Sequence, residues 1–195
     1  MNIKKLLNAQ KFMGHSIGQT SMVYLIFPKF FETEKFDIVL EIGTWNGIFS
    51  MFLNFCCLIQ NMKFETIDRY IYGTPETYKH IEMMGGKFHQ MDVYSPDALS
   101  YIRGILQSKN RILFLCDGAI KQKCINTFAE YLKPNDVVMG HDYFKTKSHF
   151  IKQNKWKSCE LIDAYISDAC DKYNLETIYE DVFNSIFWTC RIKRK

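Results

Sequence analysis

Five acids stand at or just beyond the ends of strand-like runs: Glu41, Asp68, Asp92, Asp117 and Asp142. Singly, each has an ordinary alternative as a helix cap or turn former. Five on one edge are harder to assign to capping, because an open parallel sheet binds ligands beyond the carboxyl ends of its strands. Asp68 lies about 20–25 residues beyond a glycine loop, where a carboxylate can accept from ribose hydroxyls. Asp92, in Gln-Met-Asp-Val-Tyr, could accept from an adenine amino group while Met91 and Val93 pack on the ring. Glu41 could orient the glycine loop or meet a ligand ammonium. Asp117 and Asp142 remain for the reacting end of the site.

The elements that must position these acids follow from the pattern. Asp37–Ile42 reads as a buried strand and Ile48-Phe-Ser-Met-Phe-Leu-Asn-Phe as the start of a helix. Between them, Gly43 and Gly47 make a tight turn that lets backbone approach a ligand at a helix N-terminus. Downstream, strands are expected at about 63–68, 87–91, 111–116 and 136–139, with helices at about 75–84, 96–107 and 121–131 between them. A helix over about 159–173 precedes two last strands, 175–179 and 185–192, joined by a turn near 180–184 and therefore antiparallel. Residues from about 4 to 31 read as one or two helices capping the sheet. The alternation predicts an α/β fold: a Rossmann-like, doubly wound sheet, mostly parallel with a C-terminal antiparallel strand, and helices on both faces. One domain is expected over 1–195, with 1–35 as a helical cap and 36–195 as the core.

Composition narrows the function classes. A chain of 195 residues, 47% hydrophobic and 15% aromatic, is large and apolar enough for a packed core. The seven cysteines show no Cys-x-x-Cys spacing, which disfavours zinc and thioredoxin-type chemistry and fits buried thiols in a reducing cytoplasm. No apolar segment approaches the ~20 residues of a membrane span, and the start reads as no signal peptide. The net charge of +4, without aromatic–basic interleaving, does not point to nucleic acid.

On these motifs the chain resembles a class I S-adenosylmethionine-dependent methyltransferase. Leu40-Glu-Ile-Gly-Thr-Trp-Asn-Gly47 resembles that superfamily's cofactor loop, Thr66-Ile-Asp68 its ribose-binding strand end and Gln90-Met-Asp92 its adenine side. It is most similar to the small-molecule O-methyltransferase branch of sugar and macrolide type, which holds rhamnosyl O-methyltransferases and cephalosporin hydroxylases. Leu113-Phe-Leu-Cys-Asp-Gly118, the Leu-Lys-Pro turn at 132–134 and His141-Asp-Tyr143 follow that branch's pattern. Gly18-Gln19-Thr20 resembles its N-terminal cap, which helps close the cofactor site. The resemblance implies S-adenosylmethionine bound by Glu41, Gly43, Thr44, Trp45, Gly47, Asp68, Asp92 and Asp117. It also implies a small polar acceptor such as a sugar or glycoside. Three positions depart from the pattern: Ile120, where the branch often has His; His141-Asp142, where metal-dependent members differ; and Asn135-Asp136 in place of Gly-Gly. The short chain leaves little room for a substrate lid, so the acceptor site could be open or be completed by a second copy.

Methyl transfer is an in-line displacement from a sulfonium, so the protein must orient the acceptor oxygen and relieve it of its proton. His141 is the first candidate base, because an ordinary imidazole titrates near neutrality; the alternative is a packed His bonded to backbone. Lys121 is the second, with a solvated lysine as its alternative. Asp117 and Asp142 could together hold Mg²⁺. Trp45 and Tyr143 flank the expected crevice, as sulfonium or acceptor contacts or as ordinary packing. The rival readings are an inert cofactor-binding partner subunit and a methyltransferase with a macromolecular acceptor. A dinucleotide oxidoreductase fits less well, since the loop is not Gly-x-Gly-x-x-Gly.

Overall fold

Strand side chains alternate between two apolar layers, and this alternation organises the molecule. The computed structural model describes residues 11–118, 120–153 and 159–195. In chain order, β1 (Lys11–Phe12) and β2 (His15–Ser16) form a small hairpin, followed by α1 (Val23–Thr33). Then come β3 (Ile38–Ile42), α2 (Ile48–Ile59), β4 (Lys63–Asp68), α3 (Pro75–Met83), β5 (Lys87–Gln90) and α4 (Pro96–Leu106). The second half has β6 (Ile112–Cys116), α5 (Lys121–Phe128), β7 (Val137–Gly140), β8 (Tyr143–Phe144), α6 (Lys147–Gln153) and β9 (Leu161–Ile162). It ends with α7 (Asp163–Tyr173), β10 (Leu175–Thr177), α8 (Glu180–Asn184) and β11 (Thr189–Lys193).

The main sheet has the order β10-β11-β7-β6-β3-β4-β5. Strands β3 to β7 run parallel; β11 pairs antiparallel with β7 and β10 antiparallel with β11. The chain winds outward from β3 through β4 to β5, then returns to β6 and β7 on the other side. This makes β3 and β6, paired from Ile38↔Ile112 to Ile42↔Cys116, the point where the order reverses. Val39, Leu113, Leu115 and Met139 face a core built with Phe27, Phe31, Phe49 and Trp188. Leu40, Ile42, Phe114 and Val138 face the opposite core with Ile102, Leu106, Phe128 and Ile166. Glu41 falls on the first face, among apolar neighbours, and is 1% exposed.

Helix starts follow local chemistry. Thr74 and Ser95 each precede a proline, and their side chains accept from Thr77 N and Ala98 N to cap α3 and α4. Gly47, at φ 77°, opens α2.

Some expectations need correction. Residues 11–16 are a hairpin instead of a capping helix, because Met13 and Gly14 both take positive φ (48° and 86°) and reverse the chain; among the described residues α1 supplies the expected helix, and residues 4–10 lie outside those described. The helix expected from 159 begins at Asp163, because Leu161 and Ile162 are buried in parallel pairing with Tyr143 and Phe144. The strand expected from 185 begins at Thr189, after a short helix and a turn in which Phe187 has φ 63°. Among the described residues, no helix is long and apolar enough to cross a membrane.

At the reversal point Gly43 has φ 103°, and a Cβ there would stand 2.4 Å from Gly118 N and 2.6 Å from the Asp117 carbonyl carbon. Gly43→Ala is expected to cost about 1–3 kcal/mol from backbone conformation alone, with the clash added. Urea unfolding measures it, and an unchanged midpoint would contradict this geometry.

Candidate active site

The strand ends build a cavity of about 230 Å³ beyond β3, β6 and β7. Gly43, Thr44 and Trp45 of the glycine loop line it, with Asp117 after β6, Lys121 at the start of α5, and His141 and Asp142 after β7. Gly18 and Gln19 enter from the segment before α1. A Cβ on Gly18 would lie 2.5 Å from Cζ3 of Trp45, so only glycine lets this segment cross the indole. Trp45 and Asp142, both lining the cavity, adopt left-handed backbone (φ 47° and 54°), which is uncommon for tryptophan. A larger, open groove of about 560 Å³ runs along α4 beside Ile38, Tyr101 and Asn110. Ile38 begins β3, so that groove lies at the opposite end of the strands from the acids.

The glycine loop is fixed from below and from the side. The Glu41 carboxylate accepts from Ser50 Oγ and, at 2.6 Å, from Thr66 Oγ1; Thr66 lies 2.6 Å from Thr44 Oγ1 in the loop. Burial pushes the Glu41 carboxyl up to about 8 against the pull of these hydrogen bonds. Glu41 does not line the cavity, and its contacts serve the loop-orienting role of the two considered. Asp68 Oδ2 accepts from Trp45 N at 2.8 Å and Oδ1 from Tyr70 N at 3.2 Å. Asp92, one strand further out, accepts from Tyr94 N at 3.0 Å and faces Arg69 at 3.6 Å. Gly47 stands behind the loop, where a Cβ would meet Thr77 Cγ2 at 2.7 Å. Tyr143 is turned away from the crevice; it is 4% exposed and its hydroxyl donates to Asp163.

At the other end lies a chain of charged groups. Trp188 Nε1 donates to Gln19 Oε1 at 3.2 Å, and Gln19 Nε2 donates to Asp117 Oδ2 at 2.9 Å. Asp117 Oδ1 is 2.8 Å from His141 Nδ1, and Asp142 Oδ1 is 3.5 Å from the same nitrogen. Lys121 Nζ bonds Asp142 Oδ2 at 2.8 Å and Glu160 Oε2 at 2.5 Å. Burial alone would lower the His141 pKa, but the Asp117 charge, its hydrogen bond and Asp142 carry it above the ordinary histidine value. Lys121 behaves alike: burial opposes its charge, and Asp117, Asp142 and Glu160 more than restore it. An ammonium so stabilised does not suit the proton-abstracting role considered for Lys121.

Gln19 entered the sequence reading only as part of a cap, and Trp188 and Glu160 did not enter it. Trp188 lies 169 positions from Gln19 and Glu160 lies 39 from Lys121, and no local spacing links either pair.

No protein-family model matches the chain, and no curated protein does. Solved structures do. An apo structure of CmcI aligns over 95% of this chain and 76% of that one, at TM-score 0.66 and 10% identity. A CmcI structure with Mg and SAM aligns over 98% and 84%, at TM-score 0.61 and 12% identity. The O-methyltransferase TomG from Streptomyces achromogenes, involved in tomaymycin synthesis and solved with SAM, aligns over 99% and 89%, at TM-score 0.53 and 10% identity. At these identities the likeness establishes a shared fold, the Rossmann-like α/β architecture.

A histidine whose pKa is raised by folding contributes stability that is present in full below its unfolded value and lost as pH rises through its folded value. The His141 ring is therefore expected to titrate above ~6.5 by NMR. In Asp117→Asn the value falls, because the carboxylate that raises it is gone. An unshifted value in that variant would detach Asp117 from His141.

Proposed function

We propose that the protein is an S-adenosylmethionine-dependent O-methyltransferase acting on a small polar acceptor, such as a sugar or glycoside. The observation that carries this reading is the glycine loop meeting the β6 end at the sheet's reversal point, with acids on both sides of the meeting. A Cβ at Gly43 would fill the loop's close approach to Gly118, so the turn belongs to a backbone that needs room. Asp68, already turned toward the loop by Trp45 N, carries unused lone pairs for ribose hydroxyls. Asp92 lies on the adenine side. The residues present fit S-adenosylmethionine, with Gly43, Thr44, Trp45, Asp68 and Asp92 as those that would hold it. That cofactor, when bound, supplies an electrophilic methyl on a sulfonium leaving group that needs no acid.

The chain's own task is then proton removal and orientation. His141 Nδ1 is engaged by Asp117, which fixes the ring and leaves Nε2 as the nitrogen that takes the acceptor's proton. Asp117 is itself held by Gln19, and Gln19 by buried Trp188, so the base is positioned from an apolar core. The Trp45 indole, 53% exposed, offers a face to sulfonium or acceptor. The Gly18–Gln19 segment lines the cavity beside Trp45.

Mg²⁺, present in one of the CmcI structures, does not fit these residues. Asp117, His141 and Asp142 bring one atom each within 4.8 Å of one another. Mg²⁺ demands near-octahedral oxygen ligation and is held by carboxylates and waters. Here one of the three donors is an imidazole nitrogen, and an ammonium lies 2.8 Å from Asp142. No step is assigned to the metal. The seven free cysteines fit a reducing compartment.

Asp68→Ala is expected to weaken S-adenosylmethionine binding by about 1–3 kcal/mol through lost charge-assisted hydrogen bonds. Calorimetry reads this directly, and unchanged affinity in a folded variant would remove Asp68 from the site. His141→Ala should leave cofactor affinity intact and slow methyl transfer by about 10²-fold or more. In the wild type, turnover should rise with pH through the raised His141 value, since only the neutral ring accepts a proton. Asp117, Asp142, Lys121 and Gln19 all face that ring or its partners, so the profile is compared in Asp117→Asn. A His141→Ala enzyme at full speed would clear His141 of the base role.

A further inference from the structure

We propose that the buried ammonium of Lys121 occupies the place of a divalent cation at this site, so that the protein carries its own fixed positive charge beside the acceptor. This rests on the methyl-transfer reading only for the word acceptor; the occupancy is argued from the charge cluster alone.

Three of the four carboxylate oxygens offered to a metal already bond a donor, and the fourth, Asp142 Oδ1, lies beside a His141 Nδ1 engaged by Asp117. Asp117 Oδ1 faces His141 Nδ1 at 2.8 Å, and Asp117 Oδ2 faces Gln19 Nε2 at 2.9 Å. Asp142 Oδ1 faces His141 Nδ1 at 3.5 Å, and Asp142 Oδ2 faces Lys121 Nζ at 2.8 Å. A divalent ion would have to displace these donors and then sit beside a like charge, which a half-buried setting makes costly.

Lys121 is also placed where lysine is otherwise unfavourable. It is 5% exposed and lies in the first turn of α5, whose N-terminal dipole end repels a cation. Three carboxylates offset that: Asp142 and Glu160 by direct contact, and Asp117 at longer range. Glu160 has no contact with Asp117 or His141 among those described; its bond is to the ammonium. A carboxylate recruited to a lysine in this way makes physical sense if the positive charge is what the site retains.

The consequence is a site that does with one tethered ammonium what a bound ion would do: draw electron density from an acceptor oxygen and keep the Asp117 and Asp142 charges from repelling each other. Unlike an ion, it cannot be removed by a chelator. It is also a point charge with three rotatable donors, so it can hold two carboxylates and still turn a proton toward the cavity.

The test is Mn²⁺ binding, followed by electron paramagnetic resonance on the full chain without cofactor or acceptor. Mn²⁺ shares the oxygen preference of Mg²⁺ and tolerates imidazole, so it gives a site every chance to bind. The wild type and Lys121→Arg, which keeps the charge, are expected to bind weakly. Lys121→Met should gain affinity by at least about tenfold as the like charge is removed, and Asp142→Asn in that background should abolish the gain. Lys121→Gln serves if Lys121→Met does not fold. Wild-type binding as tight as that of the neutral variant would overturn the proposal, as would no gain in a folded neutral variant. Neither result depends on methyl transfer, so the catalytic reading would stand or fall separately.

Discussion

Backbone meets backbone where the glycine loop leaves β3 and the chain leaves β6, and much of the site depends on that meeting. Two strands paired in register from Ile38 to Ile42 end level with each other. The loops that follow must therefore pass within van der Waals contact. Gly43, at φ 103° with no room for a Cβ, makes the passage possible. Once they pass, Asp117 is brought to the cavity directly from β6, and Trp45 N reaches Asp68 across the first turn of the winding. A side chain at Gly43 would push the loops apart and separate the cofactor end from the charged end.

The charged end is held by mutual neutralisation in a partly dry setting. Burial opposes the charge on both His141 and Lys121, and Asp117 and Asp142 raise the pKa of each above its ordinary value. Such a cluster contributes little net stability, because desolvation and attraction nearly cancel. Its value lies in arrangement: Asp142 lies beside both His141 and Lys121, and Lys121 joins Asp142 to Glu160, so the members constrain one another. That arrangement suits the proposed chemistry of orientation and a single proton transfer. Trp188, fully buried against Phe27 and Phe49, anchors the arrangement through Gln19.

Where local chemistry decides, the sequence was readable. The run Lys63–Asp68 alternates toward two cores and ends on its acid, and the strand has those bounds. Thr74-Pro75 and Ser95-Pro96 announce two helix starts by capping. Asp68, Asp92, Asp117 and Asp142 reach one edge because β4 to β7 run in the same direction, while Glu41 is buried inside β3. What could not be read depends on distance. β8 and β9 are two residues each, and only their pairing across 18 positions makes them strands. The hairpin at Lys11–Ser16 hides in a stretch of mixed polarity, where Met13 takes a positive φ that its side chain does not advertise. His141 and Lys121 were visible as titratable groups. The direction of their pKa shifts was not, because Asp117 reaches His141 across 24 positions and Glu160 reaches Lys121 across 39.

The central claim is that the crevice at the reversal point receives S-adenosylmethionine. Calorimetric titration of the purified wild type with S-adenosylmethionine and S-adenosylhomocysteine, with NAD as control, tests it most directly. The account predicts saturable one-to-one binding of the first two and none of the third. A folded protein that binds neither sulfur compound, or that binds NAD in their stead, would contradict it.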